Sequence, residues 1–284
     1  MTSVDWLTVT RGEAPLIVSL PHTGTVLPPE LESRLVSPWL ARKDTDWWLE
    51  RLYDFAADLG ATVVHTAISR TVIDVNRDPG GVSLYPGQTT TGLCPTESFD
   101  GEPLYAAGDA PGAPDLAERR RHYFEPYHMA LTEELTRLST RHPRVVLYDC
   151  HSIRSVIPRL FEGRLPQFNL GTNDGASCDP TLTRALEGEC DRSGMSRVTD
   201  GRFKGGYITR HYGCPAAGVH AIQMELACRG YMDEPSAVGP ETWPTTYSAA
   251  RAAQLRSTLT SVLEGALAWA VEGPAAEPTT TEVL

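Results

Sequence analysis

The stretch Val145-Val146-Leu147-Tyr148-Asp149-Cys150-His151-Ser152 limits what this chain can fold into more than any other. It opens as an apolar, β-branched run and ends in Asp, Cys, His and Ser. A short run of this kind reads as a buried strand. Its polar cluster then falls at the strand's carboxyl end, where open α/β sheets place their ligand sites. Leu16-Ile17-Val18-Ser19-Leu20-Pro21-His22-Thr23-Gly24 has the same shape, an apolar strand ending in Pro-His and a glycine turn. Two strands that each deliver a histidine to one edge are the start of a metal site.

Length leaves room for such a sheet. The 284 residues suffice for one large α/β domain or two small ones, and 41% hydrophobic with 21% charged residues marks a globular chain. A net charge of −11 argues against nucleic acid as a partner. It also requires that any anionic substrate be met by arginines gathered in one pocket against the field of the whole protein. None of the six cysteines forms a C-x-x-C pair, so they read as reduced thiols in a cytoplasmic protein. Met1 to Arg11 lacks the apolar core of a signal peptide, and no run approaches the ~18 apolar residues of a membrane span.

The pattern predicts strands over Leu16–Leu20, Ala61–Ala67, Arg70–Arg77, residues 145–150 and Val219–Cys228, with a further short strand within Ser196–Lys204. It predicts helices over Asp44–Leu59, stopped by Gly60, and over Asp115–Arg141, kinked at Pro126. Two more are predicted over Pro180–Ser193, capped by Asp179, and Thr245–Val271. Long polar loops are expected over residues 78–112 and 153–175, and a disordered tail over 274–284.

A catalytic zinc site takes His and carboxylate ligands and keeps one position open. His22 and His151 are the best-placed histidines, and Asp44 or Asp46, with Asp46 preferred, can supply the carboxylate. Taken singly, each has an ordinary structural explanation, as a hydrogen-bonded strand-end histidine or a helix cap. Glu225 lies inside the apolar run Ala221-Ile222-Gln223-Met224-Glu225-Leu226. A carboxylate there is costly unless paired, and beside a metal it would serve as general base. Asn76-Arg77, Arg154, Lys204 and Arg210 follow strand ends or glycine turns and suit an anionic small molecule.

These residues also carry a family resemblance. Pro21-His22-Thr23-Gly24, Asp44-Thr45-Asp46-Trp47, Ser69-Arg70 through Asp74-Val75-Asn76-Arg77, Asp149-Cys150-His151-Ser152, Gly201-Arg202-Phe203-Lys204-Gly205-Gly206, Ile208-Thr209-Arg210-His211 and Gln223-Met224-Glu225-Leu226 occur in order. With them the chain, from about Leu16 to Met232, resembles the N-formylglutamate amidohydrolase (N-formylglutamate deformylase) family of histidine breakdown, which is related to zinc carboxypeptidases and aspartoacylases. The resemblance implies a single catalytic α/β domain over residues 1–273. Its fold would be a three-layer α/β/α arrangement with a mixed central sheet, zinc-carboxypeptidase-like.

The resemblance further implies metal-dependent hydrolysis of N-formyl-L-glutamate to formate and glutamate. His22, Asp46 and His151 would hold Zn2+ (Fe, Co and Mn also suit such ligands). Glu225 would be the catalytic base, Arg77 with Asn76 would grip one substrate carboxylate, and Arg154, Lys204 or Arg210 would grip the other or help hold the tetrahedral oxyanion. Two positions depart from the pattern. Thr25 stands where carboxypeptidase-like sites carry a carboxylate ligand, and Trp48 stands where a histidine is expected. The alternatives are an amidohydrolase for another N-formyl or N-acyl amino acid and a non-catalytic carboxylate-binding relative. The partner in every case is a small anion, with no nucleic acid and no membrane.

Overall fold

A computed structural model describes residues 3–4, 6–84 and 87–272. The tail expected over 274–284 lies outside the described residues. Among the described residues eight strands form one mixed sheet: β1 Ser3–Val4, β2 Leu7–Thr10, β3 Leu16–Leu20, β4 Thr62–Thr66, β5 Val145–Ile153, β6 Phe168–Gly171, β7 Arg197–Thr199 and β8 Val219–Ala227. Their spatial order is β1-β2-β4-β3-β5-β8-β6-β7. The centre, β4-β3-β5-β8, is parallel, while β2 joins β4 and β6 joins β8 antiparallel.

Helices cover both faces, as a parallel sheet requires. On one face Val18, Tyr148, Met224 and Leu170 pack on Leu49 and Leu52, on Leu182 and Leu186 of the helix Pro180–Arg192, and on Leu259 and Leu263 of the helix Ala249–Glu272. On the other, Ile17, Leu147 and Ala221 pack on Tyr127, Leu131 and Leu138 of the helix Glu125–Ser139. The crossover from β3 to β4 runs over the first face and that from β4 to β5 over the second. β3 leads out to β4 on one side of it in the sheet, whereas its other neighbour β5 leads on to β6 on the opposite side, so the strand order reverses between β3 and β5 and a crevice is expected at their carboxyl ends.

The second face changes character along its strands. Ile17, Leu147 and Ala221 are apolar. The next residues on the same side, by the two-residue period of a strand, are Ser19, then Asp149 and His151, then Gln223 and Glu225. All five are buried. The first face stays apolar further along, through Cys150, Met224 and Leu226, until Ser152 near the end of β5 accepts from the Tyr231 hydroxyl at 2.8 Å. The sheet is thus a core below and a polar floor above, on one side only.

Several predicted elements differ. Arg70–Arg77 forms turns, because the Asp74 carboxylate accepts from Asn76 N at 2.9 Å and closes the chain on itself. The helix expected over Asp44–Leu59 shrinks to Leu49–Leu52 and a 3-10 turn at Asp54–Ala56. Trp48 sits at φ 65°, outside helical space, and Asp44 and Asp46 turn their carboxylates inward instead of capping. Ahead of Pro126 a wide turn over Arg120–Phe124 interrupts the long helix, which accommodates a ring that cannot donate a hydrogen bond. The loop expected over 153–175 contains β6, and Tyr207–Tyr212 is a helix. No helix among the described residues is long and apolar enough to cross a membrane.

Leu147 is fully buried in the middle of the sheet. Leu147→Ala is expected to lower the unfolding free energy by about 3 kcal/mol, measured by urea denaturation. A change within about 0.5 kcal/mol would contradict the core assigned here.

Candidate active site

Three segments bring the ligand candidates together. His22 follows β3, and His151 lies near the end of β5. Asp46 is tied to the first by its backbone, Asp46 N donating to His22 O at 3.0 Å. One Asp46 oxygen, Oδ2, lies 3.1 Å from His151 Nδ1 and 3.7 Å from His22 Nδ1. Tetrahedral zinc with bonds near 2.05 Å would separate its ligand atoms by roughly 3.4 Å, so the spacing suits a metal of that size. Among the described residues His22, Asp46 and His151 form the one such group, with ligand atoms within 4.8 Å of one another.

The far nitrogens of both histidines are held by carboxylates. His22 Nε2 is 2.7 Å from Asp74 Oδ1, and His151 Nε2 is 2.8 Å from Asp149 Oδ2. Each imidazole is thereby oriented so that Nδ1 faces Asp46, an arrangement common behind metal-binding histidines. Asp74 is anchored by Arg70 at 2.7 Å. Asp149 is anchored by Ser19, whose hydroxyl donates at 2.9 Å and in turn accepts from Tyr127.

Two buried atoms at the centre, His22 Nδ1 and Asp46 Oδ1, have no hydrogen-bond partner. Leaving such atoms unsatisfied is costly, and a divalent cation would satisfy both. The donor set of two imidazoles and a carboxylate therefore fits a metal. Asp44, the other candidate, accepts instead from Phe99 N at 2.6 Å.

Charge is distributed unevenly. Burial pushes the Asp46 carboxyl up, but the neighbouring imidazoles of His151 and His22 outweigh it and hold the group below the ordinary range. Asp74 is likewise depressed, with the charges of Arg77, His22 and Arg70 overcoming its burial. For His151, burial opposes the charged form, and Asp149 and Asp46 reverse that, raising its pKa well above the usual value. Glu225 behaves differently. It pairs in register with His151 across β5 and β8, is 7% exposed, and is pushed by burial up to about 8.

One cavity is walled by His22, His151, Glu225, Asn76 and Arg77 together with Arg70, Arg159 and Arg202. Asn76 is engaged at both ends: Nδ2 donates to Asp149 at 3.0 Å and Oδ1 accepts from Ile208 N at 2.8 Å. Arg77 donates to Thr91 O, Thr91 Oγ1 and Asn76 O. Arg154 lies elsewhere, 2.6 Å from Asp100 and 3.5 Å from Asp44. Lys204 pairs with Asp174 at 2.8 Å, and Arg210 Nε donates to Gly205 O. None of these three lines the cavity. Trp48 also stands outside the wall, its indole N–H donating to Thr245 O.

Sequence reasoning passed over Asp74 and Asp149 as supports. Asp149 was within reach, since two residues before His151 on a strand is the same face. His128 lies 2.8 Å by Nε2 from Val75 O, in the segment between Asp74 and Asn76. Arg159 and Arg202 sit on loops where no periodicity points to them.

The elevated Glu225 predicts a stability effect with a definite sign. Between the unfolded carboxyl value near 4.5 and the folded value near 8, the folded protein holds a proton that the unfolded chain has released. Stability from this group therefore falls as pH rises through that window. In metal-depleted protein, Glu225→Gln should raise Tm relative to wild type more at pH 8 than at pH 5. Equal shifts at both pH values would contradict the buried assignment.

Comparison with known proteins agrees with the geometry. The sequence profile of the family described as N-formylglutamate amidohydrolase matches residues 14–232. The chain is 48% identical over 267 residues to the N-formylglutamate deformylase of Pseudomonas aeruginosa, covering 94% of this chain and 97% of that one. It is 47% identical to the N-formylglutamate deformylase of Pseudomonas putida, covering 92% of this chain and 96% of that one. The crystal structure of N-formylglutamate amidohydrolase from Ralstonia eutropha JMP134 superposes with a TM-score of 0.75 at 25% identity, covering 92% of this chain and 97% of that one. A gene product from Agrobacterium tumefaciens shares the fold, with a TM-score of 0.66 at 17% identity over 91% of this chain and 95% of that one. By sequence profile and by identity over nearly its whole length, the chain belongs to the N-formylglutamate amidohydrolase family.

Proposed function

We propose that this protein is a metal-dependent amidohydrolase that converts N-formyl-L-glutamate and water to formate and L-glutamate. The observation that carries the reading is the meeting, in one cavity, of a buried His–Asp–His group with unsatisfied ligand atoms and a buried carboxylate in register beside it. The named activity of relatives at 48% and 47% identity supports the same reaction.

In this reading His22, Asp46 and His151 hold a divalent cation, with zinc the first candidate. The chemistry supplied by the bound cation is Lewis acidity toward the formyl oxygen and water. Glu225 takes a proton from the water that attacks the formyl carbon. It then gives that proton to the amide nitrogen as the C–N bond breaks, leaving formate and the free amine. A carboxyl tuned by burial toward neutral pH is suited to both transfers. Arg70, buried in the cavity wall, offers positive charge to the oxyanion of the tetrahedral adduct. Asn76 and Arg77 bind the α-carboxylate, and Asp74 and Asp149 keep the histidines aimed.

Arg154, Lys204 and Arg210 stand outside the cavity wall and have no role in this scheme. We take the chain through residue 273 as one catalytic domain. From the family resemblance we also assign it to histidine breakdown in the cytoplasm, a compartment with which six unpaired cysteines are consistent.

The test is formate release from N-formyl-L-glutamate by purified protein. Wild type should release formate, and Glu225→Gln should lose at least about 10³-fold in kcat while keeping its metal and its fold. Absence of release by folded, metal-loaded wild type would overturn the substrate. Full turnover by the variant would remove Glu225 from the mechanism.

A further inference from the structure

Four arginines line the cavity, and the structure divides them into two pairs. Arg70 and Arg77 stand at the metal-ligand end. The guanidinium of Arg70 is 2.7 Å from Asp74 and 3.6 Å from Asp46, and that of Arg77 is 3.6 Å from Asp74. Arg159 and Arg202 come from the segments after β5 and β7 and stand at the mouth. The Arg159 side chain is 36% exposed, against 8% for Arg70.

The mouth pair is held in place by backbone. Arg202 Nε donates to Leu160 O at 2.8 Å, and its Nη2 donates to Thr89 O at 2.9 Å. Since Leu160 directly follows Arg159, the first of these bonds sets the two arginines side by side. Arg159 Nη1 donates to Ser98 O at 3.0 Å, and its Nη2 is ion-paired with Glu97. The Arg202 guanidinium lies over the Phe203 ring, 5.2 Å from its centroid. Leu160 and Phe203 complete this part of the wall. Two guanidiniums flanked by apolar side chains are thus displayed at one end of a cavity whose other end carries the reacting groups.

N-formylglutamate has a matching shape. Its α-carboxylate is joined to the carbon that bears the amide nitrogen, and its second carboxylate lies beyond two methylenes. We propose that Arg202, with Arg159 beside it, reads this second carboxylate, while Leu160 and Phe203 pack on the methylenes. The assignment rests on the amidohydrolase reading above and extends it. The mouth arginines set the preference for an acidic side chain and take no part in breaking the bond. In a protein of net charge −11, such a pair also gives a dianion a local point of attraction.

The test compares N-formyl-L-glutamate with N-formyl-L-glutamine, which has the same shape without the second charge. Wild type should favour the glutamate substrate by at least about 100-fold in kcat/KM, as expected for a site built around a bidentate charged contact. Arg202→Met and Arg159→Met should each reduce that preference, and the double variant should bring it below about 10-fold. The rate on N-formylglutamine should stay within about threefold of wild type. Arg202→Lys, which keeps a cation without the planar fork, should fall between, and with Arg159→Met it carries the test if Arg202→Met does not fold.

A preference unchanged in the variants would overturn this assignment and leave the amidohydrolase reading intact. Equal loss on both substrates would show a structural role and overturn it as well. Wild type that hydrolyses neither substrate would instead overturn the functional reading on which the assignment rests.

Discussion

Everything around the site depends on burying three carboxylates, Asp46, Asp74 and Asp149, next to two histidines. An unpaired ion in a protein interior costs several kcal/mol, and removing one partner of a buried pair typically costs about 3–5 kcal/mol. The chain meets this with Arg70 and Arg77 on Asp74 and with Ser19 and Asn76 on Asp149. Three carboxylates against two guanidiniums still leave negative charge beside the histidines. A proton on His151 or a divalent cation offsets it, and the unsatisfied His22 Nδ1 and Asp46 Oδ1 favour the cation.

That requirement explains the local irregularities. Asp74 and Asn76 reach the histidine supports because residues 70–77 turn back instead of extending. Asp46 reaches both histidines because the helix begins only at Leu49. The regular parts of the molecule hold these bent segments in place. Beneath the polar floor the same strands are packed into helices through Ile17, Leu147 and Ala221, and the opposite face is packed through Val18, Tyr148, Cys150, Met224 and Leu226. A rigid sheet under a polar edge is a suitable support for groups that must stay within fractions of an ångström of one another.

Much of this was legible in the residues. β3, β5 and β8 announced themselves as apolar runs that turn polar, and Glu225 stood out as a charge inside one of them, whereas the period of two that puts Asp149 on the same side as His151 was not drawn on. Pro21-His22 and Asp46 followed from their positions and from the family resemblance. The turns over 70–77 were not legible, because Thr71, Val72, Ile73 and Val75 carry a strand's composition and only the tertiary position of Asp74 overrides it. Nor was the cavity wall. Arg154, Lys204 and Arg210 follow strand ends or glycine turns as Arg77 does, yet their acidic and backbone partners draw them elsewhere, while Arg159 and Arg202 arrive on loops whose course a sequence does not disclose.

The most direct test of this account is the metal content of the purified protein and of its Asp46→Asn variant, measured by elemental analysis per folded chain. The account predicts close to one equivalent of a divalent transition metal in wild type, and its loss in the variant with the fold retained. Undiminished amide hydrolysis by wild-type protein stripped of metal, or full metal occupancy in the variant, would contradict it.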